Sequence, residues 1–240
     1  MSLPNIKKLF IPDSNYIICD IDLDRADLQV VIAEADDEDL RQACAAGIDL
    51  HQHNADTIGC TRPQAKAGVH ATNYGARPRT LARALGVSVA QAEHFQNRWF
   101  SAHPGIETWH DRVRDNLQKT RRVENRFGFR RFYFDRLESI FPEALAWVPQ
   151  STVANVINQG LLNIYHNLPH VQLLMQVHDS LVLQIPADRF TETIPKIKEL
   201  MEIPIPYDPI LTIGVGLQAS RSSWGECESI GWDFNGVLKG

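Results

Sequence analysis

At 240 residues, 44% of them hydrophobic, the chain can bury a sizeable core in one or two domains. Its net charge of -5 argues, taken alone, against nucleic acid, and its four cysteines (Cys19, Cys44, Cys60, Cys227) show no CxxC pair, which argues against a zinc site or disulfide framework and for a reducing compartment. No stretch has signal-peptide layout and no apolar run approaches ~18 residues, so a soluble, cytoplasmic protein with no membrane partner is expected.

In chain order, residues 1–14 read as an irregular lead-in with Pro4 and Pro12. Tyr16 to Asp22 reads as a strand, and Asp20, Asp22 and Asp24 would share a face if it ran on. Ala26 to Ala35 and Glu38 to Ala46 suit helices. Thr61 then opens a well-marked helix: an N-cap with Gln64 three residues on, Pro63 in the first turn and Gly75 to stop it. Further helices are expected over Leu81–Leu85, Ala90–Phe100 and Ile106–Thr120, then a hairpin over Val123–Phe134 around Gly128. A long helix follows over Val153–Leu168. Val171 to Ile185 holds two short strands meeting at Asp179, before a helix over Ile194–Met201 and a final strand over Leu211–Leu217. Strands at both ends around a helical middle predict a helix-rich α+β fold, in which a discontinuous sheet domain carries an inserted helical subdomain.

Two strings carry the chemistry. Asp22-Leu23-Asp24-Arg25-Ala26-Asp27-Leu28-Gln29 and Gln176-Val177-His178-Asp179-Ser180-Leu181 each place an acid at the end of an apolar, strand-like run. Two such strands side by side bring two carboxylates together, which at about 4 Å repel by roughly 1 kcal/mol in water and roughly 4 at an effective dielectric of 20. A hard divalent cation with oxygen ligands removes that repulsion, and Mg²⁺ suits two carboxylates plus substrate phosphates. Between the strings, Arg62, Lys66, His70 and Tyr74 recur every four residues, a stripe that winds by about 40° per step on a helix. Two cations at a helix N-terminus make a site for a triphosphate, and His70 and Tyr74 can stack on a base or sugar. The bland alternative is a surface helix with a solvated basic end. Gly68 inside this helix hints at close packing or bending.

Charge is also unevenly spread. Residues 1–61 hold 4 basic and 12 acidic side chains, whereas 112–136 hold 9 basic and 3 acidic. An acidic, metal-binding segment and a basic, phosphate-binding segment are compatible with two sides of one cleft; a solvated helix face is the lesser alternative for the second. His51-Gln52-His53 has alternating imidazoles but no third ligand nearby, so ordinary hydrogen bonding is favoured there.

Taken together, these motifs make the chain resemble the catalytic C-terminal part of family A (bacterial polymerase I-like) DNA polymerases, of phage type. Asp22 through Leu28 is similar to the family's first palm motif, D-Y-S-Q-I-E-L-R; Arg62 through Gly75 to its fingers motif, R-x3-K-x7-Y-G; Gln176 through Leu181 to its second palm motif, V-H-D-E-L. Weaker matches include Asp49-Leu50-His51, Pro149-Gln150-Ser151-Thr152 and the segment ending at Trp224. The resemblance implies a first palm part over 1–35, helical fingers over 36–145 and a second palm part over 146–240. It implies transfer of nucleotides from dNTPs to a primer 3'-OH on a DNA template. Asp22, Asp179 and the Leu23 carbonyl would hold two Mg²⁺ ions, with Mn²⁺ able to substitute. Arg62 and Lys66 would hold the incoming phosphates, joined by His70 in the nucleotide site. Tyr74 and Asp27 would close the space beside the sugar C2', and Gln150 and His178 would contact the primer-template DNA.

Three departures stand out. Gln29 replaces the family's arginine, His70 its aromatic, and Ser180 its second acid after the palm histidine. Single-subunit phage-type RNA polymerases share H-D-S and the glutamine and are the nearest rival, but Asp27 is a carboxylate where they have a small residue. A catalytically silent, polymerase-derived binding module is the rival from another class; retention of Asp22 and Asp179 speaks against it. In the family a thumb, and often an exonuclease, precede the first motif by far more than 21 residues. The expectation is therefore a fragment of a larger replicative polymerase, or one split across chains. Alone, it would bind DNA weakly and favour self-association.

Overall fold

A computed structural model describes residues 5–232. Its elements in chain order are β1 (Tyr16–Leu23), α1 (Ala26–Ala35), α2 (Glu38–Ala45), α3 (Leu50–Ile58), α4 (Arg62–Asn73), α5 (Pro78–Leu85), α6 (Val89–Ala102), α7 (Pro104–Thr120), β2 (Arg122–Glu124), β3 (Arg130–Phe132), α8 (Leu137–Asn167), β4 (Gln172–Val177), β5 (Ser180–Pro186), α9 (Phe190–Met201), β6 (Pro204–Ile205), β7 (Leu211–Thr212), β8 (Val215–Ser220) and β9 (Glu228–Ser229). The lead-in expected over 1–14 falls partly outside the described residues; what is described includes a short 3-10 helix, Ile6–Leu9. No helix among the described residues is long and apolar enough to cross a membrane.

The chain divides into two compact units, Met1–Ala26 with Val153–Gly240, and Asp27–Thr152. The expected boundaries, 35/36 and 145/146, lie nine and seven residues from these. The difference has a packing cause: Val31, Ile32 and Ala35 of α1 and Val148 of α8 are buried in the core of the helical unit.

The first unit is built on a five-stranded sheet of order β4-β5-β1-β8-β9. β1 lies at its centre, antiparallel to β5 and β8, with Asp22 opposite Ser180 on one side and Gly216 on the other. Ile17, Ile18, Cys19 and Ile21 are essentially unexposed, as a strand covered on both faces requires. Helix α9 packs close to α8, where a Cβ on Gly160 would stand 2.6 Å from the Met201 sulfur.

The helical unit has its own core around Leu81, Trp99, Ile106, Trp109 and Leu117, all 0% exposed. Its helix starts are chemically explicit. Thr61 and Gln64 form a capping box at α4, Ser88 and Gln91 another at α6, and Asp49 caps α3. Gly68 is where α4 meets α6: a Cβ there would lie 2.5 Å from Phe95 Cζ, so close packing explains that glycine.

Several expected elements shift. Helix α3 was not expected. The long helix begins at Leu137, sixteen residues early, and contains Pro142 and Pro149. The final strand is two: β7 pairs with β6, and only β8 joins the main sheet.

Candidate active site

In the sheet unit, backbone pairing sets the two acids. The β4–β5 hairpin turns through His178 and Asp179, with Val177 opposite Ser180. His178 takes the first turn position in the left-handed region, φ 55°, which is uncommon without glycine but least so for histidine and its polar relatives. The Leu23 N–H donates to the Asp179 carbonyl at 3.0 Å and the Asp24 N–H to Gly214 at 2.8 Å, so the end of β1 is held from both sides. Asp22 and Asp179 therefore sit on adjoining rigid backbone. The Asp22 carboxyl is pushed up to about 6, first by burial and then by the charges of Asp179, Asp20 and Asp24, with Lys7 opposing. Ser180 turns its hydroxyl onto the Val177 carbonyl at 3.1 Å and is buried, so it closes the turn. Asp20 is engaged elsewhere: the Trp224 indole N–H donates to it at 2.7 Å. The strand stops before Asp24, which pairs instead with Arg25 at 3.2 Å, so three acids do not line one face.

In the helical unit, Asp27, Lys66, His70 and Tyr74 line one small cavity of about 70 Å³, together with His51 and Asn54. The Tyr74 hydroxyl donates to Asp27 Oδ2 at 3.0 Å, and burial above all, then the Asp27 charge, holds that phenol protonated. His70 meets the Tyr74 ring edge-on at 4.7 Å between centroids. Tyr74 is placed by what lies behind it. Asn73 receives the Trp99 indole N–H on Oδ1 and a His110 ring N–H on its carbonyl, both at 2.8 Å, and Gly75 then turns away at φ 71°. Arg62 is exposed and pairs with Asp49 Oδ2 at 2.8 Å; it is not among the residues of the cavity.

Gln150 is an exposed position of α8, and His178 is exposed at its turn. The basic stretch 112–136 is less free than its count suggests. Arg112 and Arg126 both pair with Glu34, Arg114 with Asp111, Lys119 with Asp115, Arg130 with Glu124 and Arg131 with Glu143. Much of its excess charge is thus balanced within the helical unit.

Sequence reasoning did not single out Asn54, whose only signal was its position on a helix that was itself not foreseen. A second acid-imidazole group, Asp37, Asp39 and His103, has ligand-type atoms within 4.8 Å of one another. Asp37 there has a structural task, capping α2 through Leu40 N–H at 2.9 Å and accepting from His103 Nδ1 at 2.8 Å. Burial raises its carboxyl, but those hydrogen bonds outweigh it and leave it below its ordinary range.

The chain is 29% identical over 230 residues to a thermostable DNA polymerase I of Thermus filiformis, covering 88% of this chain and 28% of that protein. It is 24% identical over 220 residues to a DNA polymerase of Mycobacterium phage L5, covering 92% of this chain and 36% of that protein. The chain thus spans about a third or less of the length of these relatives. A solved structure of the POL domain of Pol1 from M. smegmatis, in complex with DNA primer-template and dNTP, shares the fold with a TM-score of 0.81 at 20% identity, over 90% of this chain and 41% of that one. The profile of DNA polymerase family A matches residues 2–226. The chain belongs to DNA polymerase family A.

Proposed function

We propose that this chain is the nucleotidyl-transfer part of a DNA-directed DNA polymerase, which extends a primer 3'-OH on a DNA template with dNTPs. The sheet unit corresponds to a palm in this reading, and the helical unit to fingers. The observation that carries the reading is the Leu23 N–H bond to the Asp179 carbonyl, which holds the acid-bearing ends of β1 and the β4–β5 hairpin together. Family A polymerases use divalent metals, and the donor set here fits one: carboxylates that oppose each other's charge, with the Leu23 carbonyl beside them and no sulfur or imidazole ligand required. Asp22 and Asp179 would hold two Mg²⁺ ions. When bound, the metal supplies charge neutralisation on the primer oxygen and on the triphosphate.

The chain's own residues position. Lys66 and Arg62 offer cations near the N-terminal end of α4 for the triphosphate, Arg62 by exchanging Asp49 for phosphate. Asp27, pinned by the Tyr74 hydroxyl, occupies the space beside the sugar and favours deoxyribose over ribose. Gln150 and His178 offer exposed polar side chains to DNA. Primer extension tests the reading. In the complete polymerase, Asp22→Asn and Asp179→Asn should each lower the rate by more than about 100-fold while circular dichroism stays unchanged, since a lost metal costs several kcal/mol of barrier. Retention of more than about 1% of wild-type activity in either variant overturns it.

A further inference from the structure

The cavity beneath Tyr74 holds a feature that the proposed polymerase reading does not use. Asn54 of α3 lines it and is 0% exposed, yet among the described residues neither its Oδ1 nor its Nδ2 has a hydrogen-bond partner. Folding gains nothing from this. Asparagine is a poor residue for a helix interior, and a buried donor and acceptor left unmade both carry a desolvation cost that an aliphatic side chain of the same size would avoid. Native structures rarely keep such groups without a use for them. The same cavity is rimmed by Asp27, Lys66, His70 and Tyr74, the residues read above as the nucleotide site.

We propose that Asn54 is a ligand-binding residue of that site, whose amide takes up its hydrogen bonds when a nucleotide enters. The space is about 70 Å³, far below the roughly 300 Å³ at which pockets for whole small molecules begin, so it admits the edge of a ligand and not a base or a phosphate. The side chain is neutral and offers one donor group and one acceptor, which match a hydroxyl in both roles. Charge is handled at the rim by Lys66 and Asp27. The partner is therefore a neutral hydroxyl, either the 3'-hydroxyl of the incoming sugar or a water that the nucleotide orders.

This inference rests on the nucleotide-site reading, and one experiment separates the two. Binding of dCTP and of 2',3'-dideoxy-CTP is titrated in Mg²⁺ with a 3'-blocked primer-template carrying a templating G, for wild type, Asn54→Leu and Asn54→Thr, alongside thermal unfolding without ligand. Asn54→Leu is expected to unfold several degrees higher than wild type and to bind dCTP about tenfold more weakly. Asn54→Thr, which keeps a donor and an acceptor, should recover most of the affinity. A loss seen with dCTP alone assigns the sugar hydroxyl; an equal loss with both nucleotides assigns the ordered water. If the leucine variant does not fold, its unfolding marks Asn54 as structural and overturns the inference, as does a lower unfolding temperature or unchanged affinity for both nucleotides. Wild type that binds neither nucleotide defeats the nucleotide-site reading itself.

Discussion

The acid pair of the sheet unit and the cation-aromatic cavity of the helical unit hold charge in opposite ways. Asp22 and Asp179 are set by backbone hydrogen bonds, and burial first, then the Asp179 charge, bring the Asp22 carboxyl up to about 6. Around α4 the charges are already answered by side chains: Arg62 by Asp49, and Asp27 by the Tyr74 hydroxyl. A strand end can keep like charges close because the sheet, and not the side chains, bears the repulsion. A helix surface relies on side-chain partners, so it presents its groups paired and must exchange those partners to bind. The acid half therefore keeps like charges close on its backbone, whereas the helical half has its order built in behind Tyr74, in Trp99, His110 and Asn73.

If that order is what places Tyr74, disturbing His110 should be felt strongly. Burial, more than the neighbouring Arg114 charge, drives its pKa down to about 4, against the pull of the Asn73 carbonyl bond and Asp111. The ring is neutral in the folded state over a range where the unfolded chain protonates it. Its contribution is complete above about pH 6.5 and is lost as pH falls toward 4, about 3 kcal/mol in all. Urea unfolding at pH 7.5 and 4.5 should show wild type losing about 2–3 kcal/mol more than His110→Gln, which keeps a donor for Asn73 but does not titrate. Equal losses would mean that the ring protonates without consequence and that the helical half is not anchored there.

How far the sequence foretold this arrangement depends on the range of the interaction involved. β1 was legible because its apolar run is continuous and its acids follow at once, and α4 because capping box, proline and glycine all lie within the helix or at its ends. Helix α3 was not: Leu50-His51-Gln52-His53-Asn54 has no apolar period, and only Asp49 and Gly59 mark its ends. The early start of α8 was hidden by Pro142 and Pro149, which read as breakers, yet burial of Ala144, Leu145 and Val148 holds the helix through them. The pairing of Glu34 with both Arg112 and Arg126, 78 and 92 residues away, has no local signature at all. Likewise the four-residue spacing pointed to Tyr74 and the family resemblance to Asp27, while their hydrogen bond and the unpartnered Asn54 beside them depend on three helices meeting.

The contact between α4 and α6 sharpens the same contrast at a smaller scale. Adding one methyl at Gly68 gains helix propensity, about 1 kcal/mol, but sets a Cβ 2.5 Å from Phe95 Cζ and 2.8 Å from Cε1. The ring is itself buried and must move, and overpacking of this kind typically costs about 1–3 kcal/mol. Gly68→Ala should therefore destabilise by about 2 kcal/mol in urea unfolding, and Phe95→Leu in the same chain should recover much of the loss by coupling between the two sites. A stabilised Gly68→Ala would show that α4 has room to shift, and that its side chains are less firmly placed than the paired helical half requires.

The smallest effect, and the one closest to substrate choice, concerns Asp27. Its carboxylate is one methylene shorter than the family's glutamate and is held back by the Tyr74 hydroxyl at 3.0 Å. Asp27→Ala removes the acceptor that fixes Tyr74 and, in the proposed reading, the bulk beside the sugar. A 2'-hydroxyl then meets neither a steric wall nor a charge that resists losing water, so ribonucleotide incorporation should rise about tenfold relative to deoxynucleotide, equivalent to about 1.4 kcal/mol of selectivity. Deoxynucleotide use should change far less, because no 2'-oxygen ever approached the carboxylate. The readout is the ratio of kcat/KM for matched ribo- and deoxynucleoside triphosphates. An unchanged ratio would mean that Asp27 only anchors Tyr74 and that the selectivity of the helical half lies in another residue of the cavity.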